Sequence, residues 1–377
     1  MRQGLARASG TRPEDWHLLS KGRHAILLVL AQLEPGEVVT QPLTCLTAVA
    51  PVISAGHRPV YADIDAATLA IDPTSAAGLV GEATRAVVGQ HTFGVAAPLE
   101  QLRENLPEGA LLLEDSAHCL GDLARDAVGE PVADVSVHSF GLEKMLPTRS
   151  GAAVWVNPAT AGAPWHARLL AALDGLAGGG VRGAVADVAS PVAQRIARHL
   201  GAPGARALDL ASATGLVEQV IPAPERAGTV AGRPTSLSGP ALAAVARELP
   251  ALAASQRHRR RTAALYRDGL ADAPGVTLAP VLDVPDRSMV RYPLLLDSTE
   301  RAEAVFTALA AEGLVPGRWY RPLLFPGPTD AGAYAYTSGS CPVAEDVSAR
   351  ILNLPTAPFV TEDAARRAVA VVRQHVG

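Results

Sequence analysis

An α/β fold with a mostly parallel central sheet, followed by a smaller C-terminal α+β domain, is predicted by three observations. From residue 22 to about 157, short apolar runs of strand length alternate with helical patterns. Several runs, among them ALLLEDS (110–116) and AAVWVN (152–157), are almost continuously apolar, as suits strands covered by helices on both faces. A 48% hydrophobic content over 377 residues supplies a full core for one large domain with a smaller partner.

In order, GRHAILLVLAQL (22–33) has helical character and stops at the turn signal EPGE. The strand-like VVTQ, a helix over LTAVAPVISAG and the strand-like PVYADI follow. RAVVGQHTF, ALLLEDS, VSVHSF and AAVWVN continue the set of strands. Residues 158–235, rich in Ala and Gly as in DGLAGGGVRG, read as helices joined by mobile loops. A single long helix is expected over 239–270, and then VRYPLLL, the amphipathic TERAEAVFTALAAEG and TEDAARRAVAVVRQH make the small domain. The boundary is placed at 255/256, giving a large domain with its N-terminal arm over 1–255 and a small one over 256–377.

Composition narrows the function classes. A net charge of −4 with interspersed signs leaves no polybasic face, which disfavours nucleic acid or an anionic membrane as partner. Small molecules are the expected ligands. Cys45, Cys119 and Cys341 are odd in number and widely spaced, so neither a disulfide framework nor a zinc site is expected, in keeping with a reducing cytoplasm. The stretch MRQGLARASGTRPEDW lacks the apolar core of a signal peptide, so a soluble cytoplasmic protein is expected.

Lysine is the conspicuous residue. Among 33 Lys+Arg, lysine occurs only at 21 and 144. Arginine replaces it in solvated charge and most ion pairs but cannot form an imine with an aldehyde, so Lys144 is a candidate amine. Two further features lie at or beyond strand ends, where open α/β sheets bind ligands. LLLEDSAH delivers Glu114 and Asp115 to a strand end with His118 a turn later, and SKGRHAI places Gly22 at a helix start whose free N–H groups suit a phosphate. Ser139 ends the strand before Lys144. A carboxylate, a phosphate cradle and an amine meet the needs of pyridoxal 5′-phosphate (PLP): Asp115 to keep the pyridine nitrogen protonated, the cradle to anchor, Lys144 to hold the aldehyde as a Schiff base. Each residue also has an ordinary reading: Asp115 or Ser139 as a cap, Gly22 as a packing residue, His118 as a buried hydrogen-bonded ring, Lys144 as solvated charge.

The order SKGRHAI, EPGEVVTQPLTCLTAVAPVISAGHRPVYADID, GQHTFGVAAPLEQL, LLLEDSAHCLGD, HSFGLEKMLPTRSGAAVWV and ILNLPTAP resembles the DegT/DnrJ/EryC1/StrS family of PLP-dependent sugar aminotransferases nearly end to end. The resemblance implies the three-layer PLP-transferase fold type I and a homodimer with active sites at the subunit interface. It makes Asp115 the partner of the pyridine nitrogen, His118 a neighbour of the ring, Ser139 a phosphate ligand and Lys144 the Schiff-base lysine. The family's Ser-Gly-Thr turn is Lys21, Gly22 and Arg23 here, so Arg23 is expected to add its charge to the phosphate site. Arg318, Tyr320 and Arg321 in GRWYRPLLFP align with a segment near the substrate and are candidates to meet a carboxylate or phosphate, with a solvated rim as the alternative for the two arginines.

Three departures bear on substrate. Cys45 stands where many members carry an aromatic residue, RSGA (149–152) replaces GEGG, and Pro234, Thr235 and Ser236 fall where Asn-x-Arg reaches the partner subunit, leaving Arg233 as the nearest substitute. The expected reaction is transfer of an amino group from an amino acid, glutamate or glutamine, to a nucleotide-linked keto-sugar or sugar-like acceptor in secondary-metabolite or surface-glycan biosynthesis. A PLP-dependent sugar dehydratase or other lyase on the same scaffold is the second reading. A PLP-binding regulator without turnover is the third, opposed by the intact Lys144 and Asp115.

Overall fold

The structure is a computed structural model describing residues 1–180, 219–283 and 288–376, with scattered positions between 181 and 218. Its strands in chain order are β1 (Trp16–Leu19), β2 (Glu37–Thr40), β3 (Arg58–Tyr61), β4 (Ile64–Asp65), β5 (Ala70–Ile71), β6 (Thr84–Gln90), β7 (Leu111–Asp115), β8 (Val135–Ser139), β9 (Ala152–Val156), β10 (Val276–Thr277), β11 (Arg291–Leu296) and β12 (Ile351–Pro355). Seven form one sheet in the order β1-β9-β8-β7-β6-β2-β3. From β3 through β8 the pairing is parallel, and β9 runs antiparallel to both β8 and β1. The α/β class with a mostly parallel sheet is therefore observed.

The continuous apolar run of β7 has a simple cause. Successive side chains alternate between faces, so Leu111 and Leu113 pack with Ala25, Ile26 and Val29 of the helix Gly22–Leu30. Leu112 packs on the other face with Leu99 and Leu102. Both faces are covered, so no position on the strand is free to be polar until its end.

A second, antiparallel sheet, β10-β11-β12, is accompanied by the helices Thr299–Ala311, Pro342–Arg350 and Glu362–Val376. The single helix expected over 239–270 is instead two, Gly239–Glu248 and Leu252–Leu270, joined by the 3₁₀ turn Leu249–Ala251. Pro250 has no N–H for the helical ladder and its ring crowds the preceding turn, so the ladder breaks there. The position 255/256 falls inside the second of these helices. β1 was not among the expected strands; WHLL is too short to show a period and gains its partner only from β9, far along the chain. The reading of 158–235 meets the helix His166–Asp174, while most of 181–218 lies outside the described residues. Among the described residues no helix is long and apolar enough to cross a membrane.

Candidate active site

The parallel strands β6, β7 and β8 bring their carboxyl ends together. Register pairs Gln90 with Asp115 and Asp115 with Val137, so the ends of three strands lie side by side. Asp115 is buried and accepts the Ala117 N–H at 3.0 Å through Oδ1. Alternation sends the adjacent Glu114 to the opposite face. There it accepts from His91 Nε2 at 2.8 Å and from the Ala124 N–H at 2.7 Å. Because the Ala97 N–H donates to His91 Nδ1 at 2.9 Å, the ring proton belongs on Nε2. Burial opposes ionisation of Glu114, yet the His91 hydrogen bond holds its carboxyl below the ordinary range. Glu114 is thus a structural acceptor, and Asp115 alone faces the site.

Lys144 sits in a loop after β8, held by a turn in which its N–H donates to the Gly141 carbonyl at 2.8 Å. Its Nζ lies 5.4 Å from the centre of the Trp319 ring. Burial pushes the lysine pKa down, partly offset by Asp115, and pushes the Asp115 carboxyl up, partly offset by Lys144. Burial dominates both, so the amine approaches the neutral form that a nucleophile needs.

The helix Gly22–Leu30 starts against the end of β8. A Cβ on Gly22 would lie 3.0 Å from Ser139 Cβ and 3.2 Å from Ser139 Oγ, so any larger residue would crowd the serine and loosen this approach. The unpaired N–H groups of the helix start and the serine hydroxyl therefore converge, which is the cradle a phosphate requires. Arg23, expected to add its charge here, points to another partner. Its guanidinium pairs with the fully buried Glu225 and donates to the Val220 carbonyl at 2.7 Å. A buried carboxylate must be paired, and Arg23 satisfies it.

His118 lies in a turn rather than on a helix, with the Cys119 N–H donating to the Ser116 carbonyl at 3.0 Å. The Phe93 N–H donates to its Nδ1 at 2.9 Å, which leaves the proton on Nε2 to face Tyr320 Oη at 3.2 Å. Burial drives the His118 pKa well down, so the ring is neutral. It stacks on Trp319 at 5.3 Å with 9° between the planes. Tyr320 is thus brought to the site, where Lys144 and His118 both lie against the Trp319 ring and Asp115 lies within electrostatic reach of Lys144. Arg318 and Arg321 are not brought there. Both guanidinium groups meet Glu303 on the helix Thr299–Ala311, at 2.6 and 2.8 Å, and Arg318 covers the Phe306 ring.

The departures from the family pattern find places. Cys45 precedes the helix Leu46–Ser54, bridges to Phe325, and its Sγ accepts from Thr47 Oγ1 at 3.0 Å. Thr235 carries a carbonyl that accepts the Ser20 N–H at 2.9 Å, beside the phosphate turn, while Arg149 and Arg233 are exposed. Trp319 escaped the sequence reading although it lies in the quoted GRWYRP; its scarcity, one Trp of four in 377 residues, was the available signal. Asn353, fully buried in β12, clamps that tryptophan by accepting its N–H at 3.0 Å and donating to its carbonyl.

Two buried histidines beside the site set an acid limit on stability. His24 lies between Ser20 Oγ and the Ala231 carbonyl, and His138 meets Ser136 Oγ at 3.0 Å. Burial lowers both to about 4. A base depressed in the fold favours folding fully above its ordinary pKa of about 6.5 and loses that contribution as pH falls through the folded value. The urea midpoint should therefore decline between about pH 6.5 and 4, and His138→Asn should make the decline shallower. An equally steep decline in the variant would remove His138 from this account.

The profile of the DegT/DnrJ/EryC1/StrS aminotransferase family matches residues 18–163 and 225–373. The chain belongs to that family. Spore coat polysaccharide biosynthesis protein SpsC of Bacillus subtilis is 35% identical over 119 residues, 31% of this chain and 31% of that protein. The L-glutamine:2-deoxy-scyllo-inosose aminotransferase of Streptomyces kanamyceticus is 29% identical over 178 residues, 44% of this chain and 42% of that protein. The aligned parts thus span less than half of these curated members. Among solved structures, the Spr1654 protein of Streptococcus pneumoniae in its PMP form superposes with a TM-score of 0.74 at 17% identity, covering 100% of this chain and 90% of that one. At that identity the likeness establishes the fold, the one shared with aminotransferases of the DegT/DnrJ/EryC1/StrS family.

Proposed function

We propose that this DegT/DnrJ/EryC1/StrS family member is a PLP-dependent aminotransferase that moves an amino group from glutamate or glutamine to a keto group on a sugar or sugar-like acceptor. The observation that carries the reading is the half-buried Lys144, its amine within electrostatic reach of the buried Asp115 at the carboxyl ends of the sheet, beside the cradle of Ser139 and the Gly22 helix start. These residues fit the cofactor: a Cβ at position 22 would fill the phosphate cradle, and the amine and carboxyl are the groups its aldehyde and ring nitrogen need. When bound, PLP supplies an electron sink for the substrate carbon that gains or loses the amino group.

The chain's own groups divide the remaining work. Ser139 Oγ and the N–H groups at Gly22 and Arg23 anchor the phosphate, with helix polarity favouring the anion. Asp115 Oδ holds a proton at the ring nitrogen, and its burial strengthens that interaction. Lys144 Nζ would be the amine that holds the cofactor's aldehyde, and its lowered pKa would suit it to serve as base and acid for the proton moved during amino transfer. Neutral His118, fixed by the Phe93 N–H and Tyr320 Oη, lines the ring pocket without adding charge. Trp319 places its ring centre 5.4 Å from the amine.

Borohydride reduction of the purified protein should fix a pyridoxyl group on Lys144, read by peptide mapping. A label on Lys21, or none, would overturn the assignment. Donor alone should convert the cofactor to its persistent amine form; a keto product without that half-reaction would favour elimination instead. A nucleotide-linked acceptor is part of the proposal, consistent with the GDP-perosamine synthase of Vibrio cholerae, a relative 27% identical over 143 residues.

The proposal extends to a homodimer with sites at the interface. Leu142, 57% exposed in the lysine loop, and Leu242, 44% exposed on the helix Gly239–Glu248, leave apolar surface beside the site for a partner subunit to cover. Light scattering should give twice the 38.9 kDa chain mass. A monomer that still turns over would count decisively against shared sites.

A further inference from the structure

Arg259 occupies the middle of the helix Leu252–Leu270 and is fully buried. Among the described residues no carboxylate pairs with it, and burial lowers its pKa to about 10. Its two terminal nitrogens meet main-chain and hydroxyl oxygens, while its buried Nε–H finds no hydrogen-bond partner among the described residues. Nη1 donates to the Val290 carbonyl at 3.0 Å and to Thr356 Oγ1 at 3.1 Å, and Nη2 donates to the carbonyl of Lys144 at 3.0 Å. Thr356 spends its own hydroxyl proton on the Met289 carbonyl at 2.6 Å, so its lone pair is what the guanidinium takes. One side chain thus ties the entry to β11 and the exit from β12 to the loop that carries the reactive amine.

We propose that Arg259 is a positioning residue for Lys144, holding the lysine main chain against the second sheet so that its amine stays against Trp319 and toward Asp115. The lysine segment, residues 141–148, is neither helix nor strand, and a part-buried carbonyl there takes its partner from elsewhere. The N–H bonds of the turn go to the Gly141 and Leu146 carbonyls, and it is Arg259 that donates to the Lys144 carbonyl. A buried cation without a counter-ion is a costly way to fill a core, and an apolar side chain of similar volume would fill it at lower cost. What the guanidinium adds is a rigid fork that reaches three oxygens on separate segments, which a lysine cannot span. The run RHRRRT reads as a solvated charge cluster, but Arg259 shares the face of Thr262, Ala263, Tyr266 and Leu270 at helical spacing, which is why this one arginine turns inward.

The inference rests on Lys144 being the reactive amine. The test compares wild type, Arg259→Met and Arg259→Lys as purified holoproteins by amide hydrogen exchange and by single-turnover reaction with the amino donor. In Arg259→Met, exchange over 141–148 should rise about tenfold or more while the amides of β7 and β8 stay protected. The single-turnover rate should fall by about 10²-fold, the penalty for misplacing a reacting group by an ångström, with the donor KM little changed. Arg259→Lys, reaching a single acceptor, should fall between the two. Unchanged loop exchange and unchanged single-turnover rates would overturn the proposal, as would a general loss of protection with no excess in the lysine loop. Should Arg259→Met fail to fold, Arg259→Lys decides on the same two readouts. A wild type without pyridoxyl label on Lys144 would instead overturn the functional reading, while the exchange measurement still reports whether Arg259 holds the loop.

Discussion

Lys144→Arg is expected to keep the fold and bind the cofactor through its phosphate cradle and Asp115, yet to lose turnover by about 10³-fold or more, because general acid–base work alone is worth 10²–10⁴-fold and covalent attachment is lost as well. The reasoning separates charge from amine. If residue 144 served as an ion-pair partner of Asp115 or of phosphate, arginine would make those contacts at least as well. A guanidinium stays protonated in the same buried site that lowers the lysine pKa, so it can neither hold an aldehyde nor carry the proton. Single-turnover amination of the cofactor by the donor, in variant and wild type, distinguishes the two. A variant that runs this half-reaction near the wild-type rate would return Lys144 to a surface-charge role.

Asp115→Ala is expected to act differently. Attachment at Lys144 remains, so borohydride still fixes the label there, but the ring nitrogen loses the buried carboxylate that keeps its proton. Removing one preorganised electrostatic partner costs about 10²–10³-fold, and the single-turnover rate should fall by that much. The Lys144 amine also loses the carboxylate that raises its pKa, so the residual activity should persist to lower pH than in the wild type. An Asp115→Ala enzyme with wild-type single-turnover rates, or one that no longer labels at Lys144, would contradict this division of labour.

The parts of the site that are local in sequence were legible in it. Strand ends at Asp115 and Ser139 follow from apolar runs that stop at polar residues, and the helix start at Gly22 from a glycine before an apolar period. Lys144 stood out because lysine is nearly absent, which gave one position a chemical meaning that its neighbours lacked. The arginines show the converse. With the remaining cations nearly all arginine, residue type alone does not distinguish Arg23, Arg259, Arg318 and Arg321, and each was assigned by a partner on another segment: Glu225 for the first, the Lys144 carbonyl for the second, Glu303 for the last two.

Tertiary packing also decided which aromatic side chain faces the amine. Cys45 left the expected place without a ring, and Trp319 stands over Lys144 because Asn353, in a strand of the second sheet, grips its backbone on both sides. The physical reason is the same in each case. A strand end, a helix start or a turn is fixed by contacts among residues a few positions apart, whose pattern the sequence displays directly. The choice of partner for a charge or ring is fixed by which surfaces of separate elements close on one another, from 15 residues apart for Arg318 and Glu303 to 202 for Arg23 and Glu225, and where the charge is buried the cost of leaving it unpaired selects the carboxylate or carbonyl that packing brings within reach.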